Sequence, residues 1–243
     1  MYIYIVKKNN SLLKENLANF SELEFVNEIP NSNYYFVYDT DGLSFVKNST
    51  YPKESLNLNF LKGSVDWRMK RASHEGNIKK ALGKSDKQLL IFDSTAGLLT
   101  DSLIFLSLGH KVVAVEQSKI LYSLLKDAVS RAEKKIPELK NLILINDNSI
   151  NAYRSISKDF DAIYIDPMFP KSKKYSKKSG KIESIKKILE LENLNQDSES
   201  LIEIFLNTNY KKIIYKRPLK QRNFYSNINY QVFGKTTRFD IFL

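Results

Sequence analysis

Apolar positions fall into short continuous runs separated by segments with helical spacing. Leu89-Leu90-Ile91-Phe92 is an unbroken apolar run, as expected of a strand buried on both faces. Lys111-Val112-Val113-Ala114-Val115, Leu142-Ile143-Leu144-Ile145 and Ala162-Ile163-Tyr164-Ile165 repeat the pattern. Between them, 98–108 reads as a helix. So does 120–134, where Leu121, Leu124, Leu125, Ala128 and Val129 share one face. Lys212-Ile213-Ile214-Tyr215 follows a helix-rich segment, and Tyr230-Gln231-Val232-Phe233 with Phe239-Asp240-Ile241-Phe242 reads as a closing strand pair. Strands alternating with helices predict an α/β fold with a mostly parallel sheet, and the terminal pair predicts a mixed far edge.

The first 60 residues differ. Ile3-Tyr4-Ile5-Val6 reads as a strand and 11–20 as a short helix. Tyr34-Tyr35-Phe36-Val37-Tyr38 and Leu43-Ser44-Phe45-Val46 flank Asp39-Thr40-Asp41-Gly42, which reads as a hairpin turn. Residues 61–77 show no clear period and read as a loop leading into a helix that stops at Gly83. The predicted organisation is a small N-terminal α+β region over 1–60 and a larger domain over 61–243.

Composition narrows the chemistry. The chain has no cysteine and only two histidines, His74 and His110, so neither a thiolate nor a His-rich metal centre is expected. No apolar run approaches the roughly 18–20 residues of a membrane span, and the lysines follow the first apolar stretch, the reverse of a signal peptide. A cytoplasmic protein with no membrane partner is expected. Lys plus Arg outnumber Asp plus Glu by 38 to 27, a net charge of +11, which points to a polyanionic partner such as nucleic acid.

Ligands of such sheets bind at the carboxyl ends of the strands. The first strand of the series runs into Asp93-Ser94-Thr95-Ala96-Gly97, whose small residues admit a close backbone approach. The second ends in Glu116, suited to a ribose diol because a carboxylate accepts from both hydroxyls. The third ends in Asn146-Asp147-Asn148-Ser149, able to read an adenine edge or to cap the next helix. Together these predict an adenosine-containing cofactor. The loop has neither GxGxxG nor GxxxxGK[ST], so S-adenosylmethionine suits it better than a dinucleotide or a nucleoside triphosphate.

The fourth strand ends in Asp166-Pro167-Met168-Phe169-Pro170. An acid, a proline and an aromatic here suit methylation of an exocyclic base amine, whose lone pair is delocalised into the ring. Asp166 and the Pro167 carbonyl would accept hydrogen bonds from the NH2 and free that pair, while Phe169 stacks on the base. Next comes a lysine-rich run with Tyr175, in which Lys171, Lys173, Lys174, Lys177 and Lys178 are expected to hold RNA phosphates. Lys216 and Arg217, read as following the next strand, are expected to join them, with Arg68, Lys70 and Arg71 adding to the surface.

These residues resemble the RsmJ family of bacterial 16S ribosomal RNA guanine-N2 methyltransferases. The resemblance runs from about Leu58 to Leu243. It rests on Asp93-Ser94-Thr95-Ala96-Gly97-Leu98, Tyr164-Ile165-Asp166-Pro167-Met168-Phe169-Pro170, Lys216-Arg217-Pro218 and Arg238-Phe239-Asp240-Ile241. It implies a Rossmann-like class I methyltransferase fold using S-adenosylmethionine. It further implies cofactor contacts at Thr100, Asp101, Glu116, Gln117, Asn148, Ser149 and Asp166, and a small-subunit rRNA or 30S particle as partner. Where the family's loop reads Gly-Leu-Gly-Arg-Asp, this chain has Gly97-Leu98-Leu99-Thr100-Asp101. The competing readings are an adenine-N6 DNA methyltransferase, and a non-catalytic RNA-binding or ribosome-assembly factor on a degenerate methyltransferase fold.

Overall fold

The structure is a computed structural model that describes residues 2–5, 17, 23–32, 34–47, 55–156, 158–167, 180–194, 198–222 and 225–243. Contacts gather the chain into two compact units. One comprises Met1–Gly63, Ser118–Pro137 and Tyr175–Asn195; the other comprises Ser64–Gln117, Glu138–Lys174 and Gln196–Leu243. The described helices are α1 (Gly63–Lys70), α2 (Gly76–Leu82), α3 (Thr100–Ser107), α4 (Lys119–Ala132), α5 (Ser149–Ser155), α6 (Gly180–Leu191) and α7 (Ser198–Leu206). Among the described residues no helix is long and apolar enough to cross a membrane.

The first unit holds a five-stranded sheet of β1 (Tyr2–Ile5), β2 (Glu24–Val26), β3 (Tyr35–Asp39), β4 (Gly42–Val46) and β5 (Ser55–Asn57), in the order β2-β1-β3-β4-β5. The expected hairpin forms between β3 and β4. Asp39 Oδ1 accepts from Asp41 N–H at 2.8 Å across its turn. Gly42 has φ +91°, which favours glycine, and a Cβ there would have to displace the Arg131 and Asp127 side-chain ends. The clashing groups belong to α4: Asp127 accepts from Leu43 N–H at 2.9 Å, and Arg131 bridges Asp127 to the Leu58 carbonyl. The helix expected at 11–20 lies outside the described residues, apart from Leu17.

The second unit holds a seven-stranded sheet. Its strands are β6 (Leu90–Asp93), β7 (Lys111–Glu116), β8 (Leu142–Asn146), β9 (Ala162–Ile165), β10 (Ile213–Pro218), β11 (Tyr230–Phe233) and β12 (Thr237–Phe242), in the order β11-β12-β10-β9-β6-β7-β8. Pairing is parallel from β8 to β10 and antiparallel at β10–β12 and β12–β11, the predicted mixed edge. Phe92, Ile163, Ile213 and Tyr215 lie in one buried cluster with Phe205 of α7 and Phe160. Phe92 makes ring contacts with Tyr153, Phe160 and Phe205.

Two expectations need correction. Within the 61–77 segment read as a loop, Gly63–Lys70 is helical, with no buried residue. A helix with no apolar stripe leaves no period in the sequence; α1 instead carries an Asp66–Lys70 ion pair one turn apart. The strand expected to end at Tyr215 continues to Pro218, so Lys216 and Arg217 lie within β10.

Candidate active site

The chain leaves β6 through a loop tied to both neighbouring strands. Ser94 N–H and Oγ both donate to the Tyr164 carbonyl, and Ala96 N–H donates to the Val115 carbonyl. Gly97 takes φ +54°, and its N–H donates to Glu116 Oε2 at 3.0 Å, fixing the loop to the end of β7. Leu99 also adopts a left-handed conformation just ahead of α3. Thr100 opens α3, and Asp101 follows in its first turn, where the helix dipole favours an anion.

Three aspartates from three elements meet at this edge. Asp93 is buried; it accepts from Ser102 Oγ at 2.5 Å and from Thr95 N–H at 3.0 Å. Asp101 accepts from Tyr164 Oη at 2.6 Å, Lys216 Nζ at 2.5 Å and Arg68 Nη2 at 3.2 Å. Asp166 follows β9; its N–H donates to Thr95 Oγ1 at 2.7 Å, and its carboxylate accepts from Lys216 Nζ at 2.8 Å. One ammonium thus spans two carboxylates, and Arg68 ties Asp101 to Glu75.

The environments push the three acids apart. Burial raises Asp93 to about 7, with the Asp101 and Asp166 charges adding to it and the Ser102 and Thr95 hydrogen bonds opposing it. Burial also acts to raise Asp101, but the Lys216 ammonium, the Tyr164 hydroxyl and Arg68 outweigh it and hold Asp101 below the ordinary carboxyl value. Asp166 is raised, by burial first and by Asp101, against the pull of Lys216. Its side chain is still 35% exposed, so it is the member of the set that an incoming group can reach. Lys216, despite burial, is held protonated by its two aspartates. Such a set can attract a cation and offer a basic, accessible acceptor beside it.

The other predicted residues are placed as follows. Glu116 is buried at the end of β7, and its carbonyl accepts from Asn146 Nδ2 at 2.8 Å; Gln117 is exposed. Asn148 caps α5, its Oδ1 accepting from Ile150 and Asn151 N–H, and Ser149 is the buried first residue of that helix. Pro167 is buried, whereas Phe169 and Lys171, Lys173, Lys174, Lys177 and Lys178 lie outside the described residues. Arg217 does not reach a surface for phosphates: its side chain is 1% exposed and paired with Asp240. Lys216 is committed to Asp101 and Asp166. Sequence reasoning missed Tyr164 and the inward role of Arg68. A hydroxyl in the apolar run 162–165 was the available signal for the first.

The sequence model described as "Putative SAM-dependent methyltransferase" matches residues 18–243. Ribosomal RNA small subunit methyltransferase J of Francisella tularensis subsp. novicida is 31% identical, covering 96% of this chain and 97% of that protein. The protein of the same name from Francisella philomiragia is 30% identical, covering 93% and 97%. The chain belongs to the RsmJ family. It is therefore an S-adenosylmethionine-dependent methyltransferase. Its fold agrees with the crystal structure of a SAM-dependent methyltransferase from Neisseria gonorrhoeae, at TM-score 0.73 and 23% identity, covering 100% of this chain and 96% of that one. For an RsmJ-family chain, the β8-β7-β6-β9-β10 parallel core with an antiparallel edge is the Rossmann-like class I arrangement that the motifs implied.

Proposed function

We propose that this chain methylates the exocyclic N2 amine of a guanine in small-subunit ribosomal RNA, free or within the 30S particle. The observation that carries the reading is the Asp166 carboxylate at the end of β9, partly open and steadied by Lys216, in a chain of this family. The names of the Francisella relatives and the net charge of +11 support an RNA substrate.

The residues at the strand ends fit S-adenosylmethionine. Among the described residues, Asp101, Asp166 and Glu75 share the two cations Lys216 and Arg68, an anionic surplus that suits a sulfonium cation. A Cβ added at Gly97 would make only ordinary contact, so the loop leaves a ligand room to approach its backbone. Glu116 and Gln117 would hold the ribose, Asn148 and Ser149 the adenine edge, and Asp93, Thr95, Gly97, Thr100 and Asp101 the methionine end. When bound, this cofactor supplies an electrophilic methyl group.

The chain's own task is to present the amine. Asp166 and the Pro167 carbonyl accept hydrogen bonds from its two N–H groups, which draws the nitrogen out of conjugation and aligns its lone pair for in-line displacement. The proton that the methylated nitrogen must shed passes to Asp166, made more basic by burial. Phe169 stacks on the base, and the lysines of 171–178 hold the adjoining phosphates. The test is methyl transfer from labelled donor to stripped small-subunit RNA and to 30S particles, followed by nucleoside analysis. Label is expected in N2-methylguanosine; label in another nucleoside, or only in duplex DNA, overturns the assignment.

A further inference from the structure

α1 carries the chain's single tryptophan in an unusual place. Trp67 is 60% exposed, on a helix that buries none of its residues. An indole is the largest apolar side chain available to a core, so leaving most of it in water forgoes much stabilisation. The guanidinium of Arg71, one turn on, lies 5.0 Å from the ring centroid. Lys70 is exposed, pairing only with Asp66 of its own helix among the described residues. One position from the indole, Arg68 turns inward to Glu75 and Asp101, and Asp101 shares Lys216 with Asp166. The helix that carries the exposed ring is thus tied, through Arg68, to Asp101 of the candidate active site.

An apolar protein partner would call for further exposed apolar residues around the ring. Instead the residues three and four positions from Trp67, its neighbours on the helix surface, are Gly63, Ser64, Lys70 and Arg71, two cations and no large apolar side chain. A flat aromatic face among cations matches a single-stranded nucleic acid, whose bases stack and whose phosphates need charge. We propose that α1 is a stacking platform for the RNA substrate: Trp67 packs against an unpaired base flanking the target, and Lys70 and Arg71 pair with the neighbouring phosphates. The proposal rests on the RNA methyltransferase reading and extends it to a second contact surface.

Because Trp67 is the only tryptophan, its fluorescence reports on this surface alone. Titrating the full chain with a single-stranded oligoribonucleotide should quench the emission, with an affinity that falls as salt rises. Trp67→Ala should weaken oligonucleotide binding by roughly tenfold or more and raise KM for RNA while kcat is held; Trp67→Phe should keep most of the affinity. Donor affinity by calorimetry and the melting temperature should not move in either variant. Unquenched emission at saturating oligonucleotide, or native affinity in Trp67→Ala, overturns the platform. Native binding of naked RNA by Trp67→Ala with weakened binding of 30S particles also overturns it, and assigns the ring to a ribosomal protein. If the native chain methylates no RNA, the underlying reading fails; if it methylates RNA and Trp67→Ala matches it in every parameter, the platform alone fails.

Discussion

Adjacent residues of β10 serve two charge clusters of opposite sign, because successive strand side chains point to opposite faces. Lys216 enters a set of aspartates, and Arg217 enters a set with two arginines. In the second cluster Arg217 lies directly across from Arg238 in the β10–β12 ladder, a like-charge pairing made tolerable by Asp240. Asp240 accepts from Arg217 at 3.2 Å, from Arg238 at 2.9 Å and from Gln231 at 2.7 Å. Two further guanidinium nitrogens go to backbone, Arg238 Nη1 to the Pro218, Leu219 and Gln221 carbonyls and Arg217 Nη2 to that of Arg222, while Arg217 Nε and Arg238 Nη2 are buried without a hydrogen-bond partner among the described residues. Arg217 also lies over Tyr215 and Tyr225. This cluster is closed: its partners are strand residues and the connection that follows β10. The aspartate cluster is partly open and holds more negative charge than its cations neutralise. The difference teaches that a buried charge set can stabilise a loop or wait for a ligand, and that exposure of one member separates the two.

Removing the shared anion of the closed cluster should have the largest effect. Asp240→Asn leaves two buried guanidiniums without a counter-charge, a loss of about 3–5 kcal/mol. The melting temperature should fall by roughly 10 °C. A variant that melts within a degree or two of the native chain would show that the arginines do not depend on Asp240.

The open cluster should respond in the reverse way. Asp166→Asn is expected to lower methyl transfer to RNA by about 100-fold or more. Stability should hold or rise, since the substitution removes a charge that burial disfavours and relieves the repulsion from Asp101, which together outweigh the lost pairing with Lys216. Wild-type turnover would remove Asp166 from the chemistry, and a large loss of stability would make the two clusters alike.

Titration of Asp93 sharpens the contrast further. Its folded pKa of about 7 lies above the value of about 4 for a carboxyl in an unfolded chain. The folded state therefore holds a proton that the unfolded state has released. This contribution is fully present below about pH 4 and is lost as pH rises through about 7. The melting temperature of the donor-free native chain should drop over that window relative to Asp93→Asn. Parallel curves for the two proteins would contradict a buried, protonated Asp93.

Much of the sheet was legible because each parallel strand of the core is an apolar run bounded by polar residues. Glu116 and Asp166 were legible because they are the first acids after such runs. The charge clusters were not. Lys216 is 115 residues from Asp101 and 50 from Asp166, and Arg217 is 23 from Asp240, so three cationic or turn-forming residues in a row read as a loop. Only the ladder that brings β9, β10 and β12 together makes burial of Lys216 and Arg217 affordable in electrostatic terms. α1 escaped for the opposite reason: with nothing buried, it imposes no apolar period on its sequence.

The loop that feeds the open cluster also carries backbone strain. Among the described residues the non-glycine positions with positive φ are Leu99 and Asn193, and neither lies in the arginine cluster. Leu99 has φ 57° and ψ 16° where the family's loop has glycine, yet its side chain is wholly buried. A left-handed conformation disfavours a residue with a Cβ by about 1–2 kcal/mol. Full burial of a leucine side chain contributes about 1.5–3 kcal/mol, enough to offset that strain. Leu99→Ala keeps the strain and loses most of the packing. Leu99→Gly loses the packing but relieves the strain, less the extra freedom glycine has when unfolded. Both variants should be less stable than the native chain, and glycine should exceed alanine by up to about 1 kcal/mol, the reverse of their usual order at a helix start or interior. Chemical denaturation of the two variants decides it. Alanine above glycine would mean that Leu99 is relaxed where it stands, and that the aspartate loop is held by packing alone.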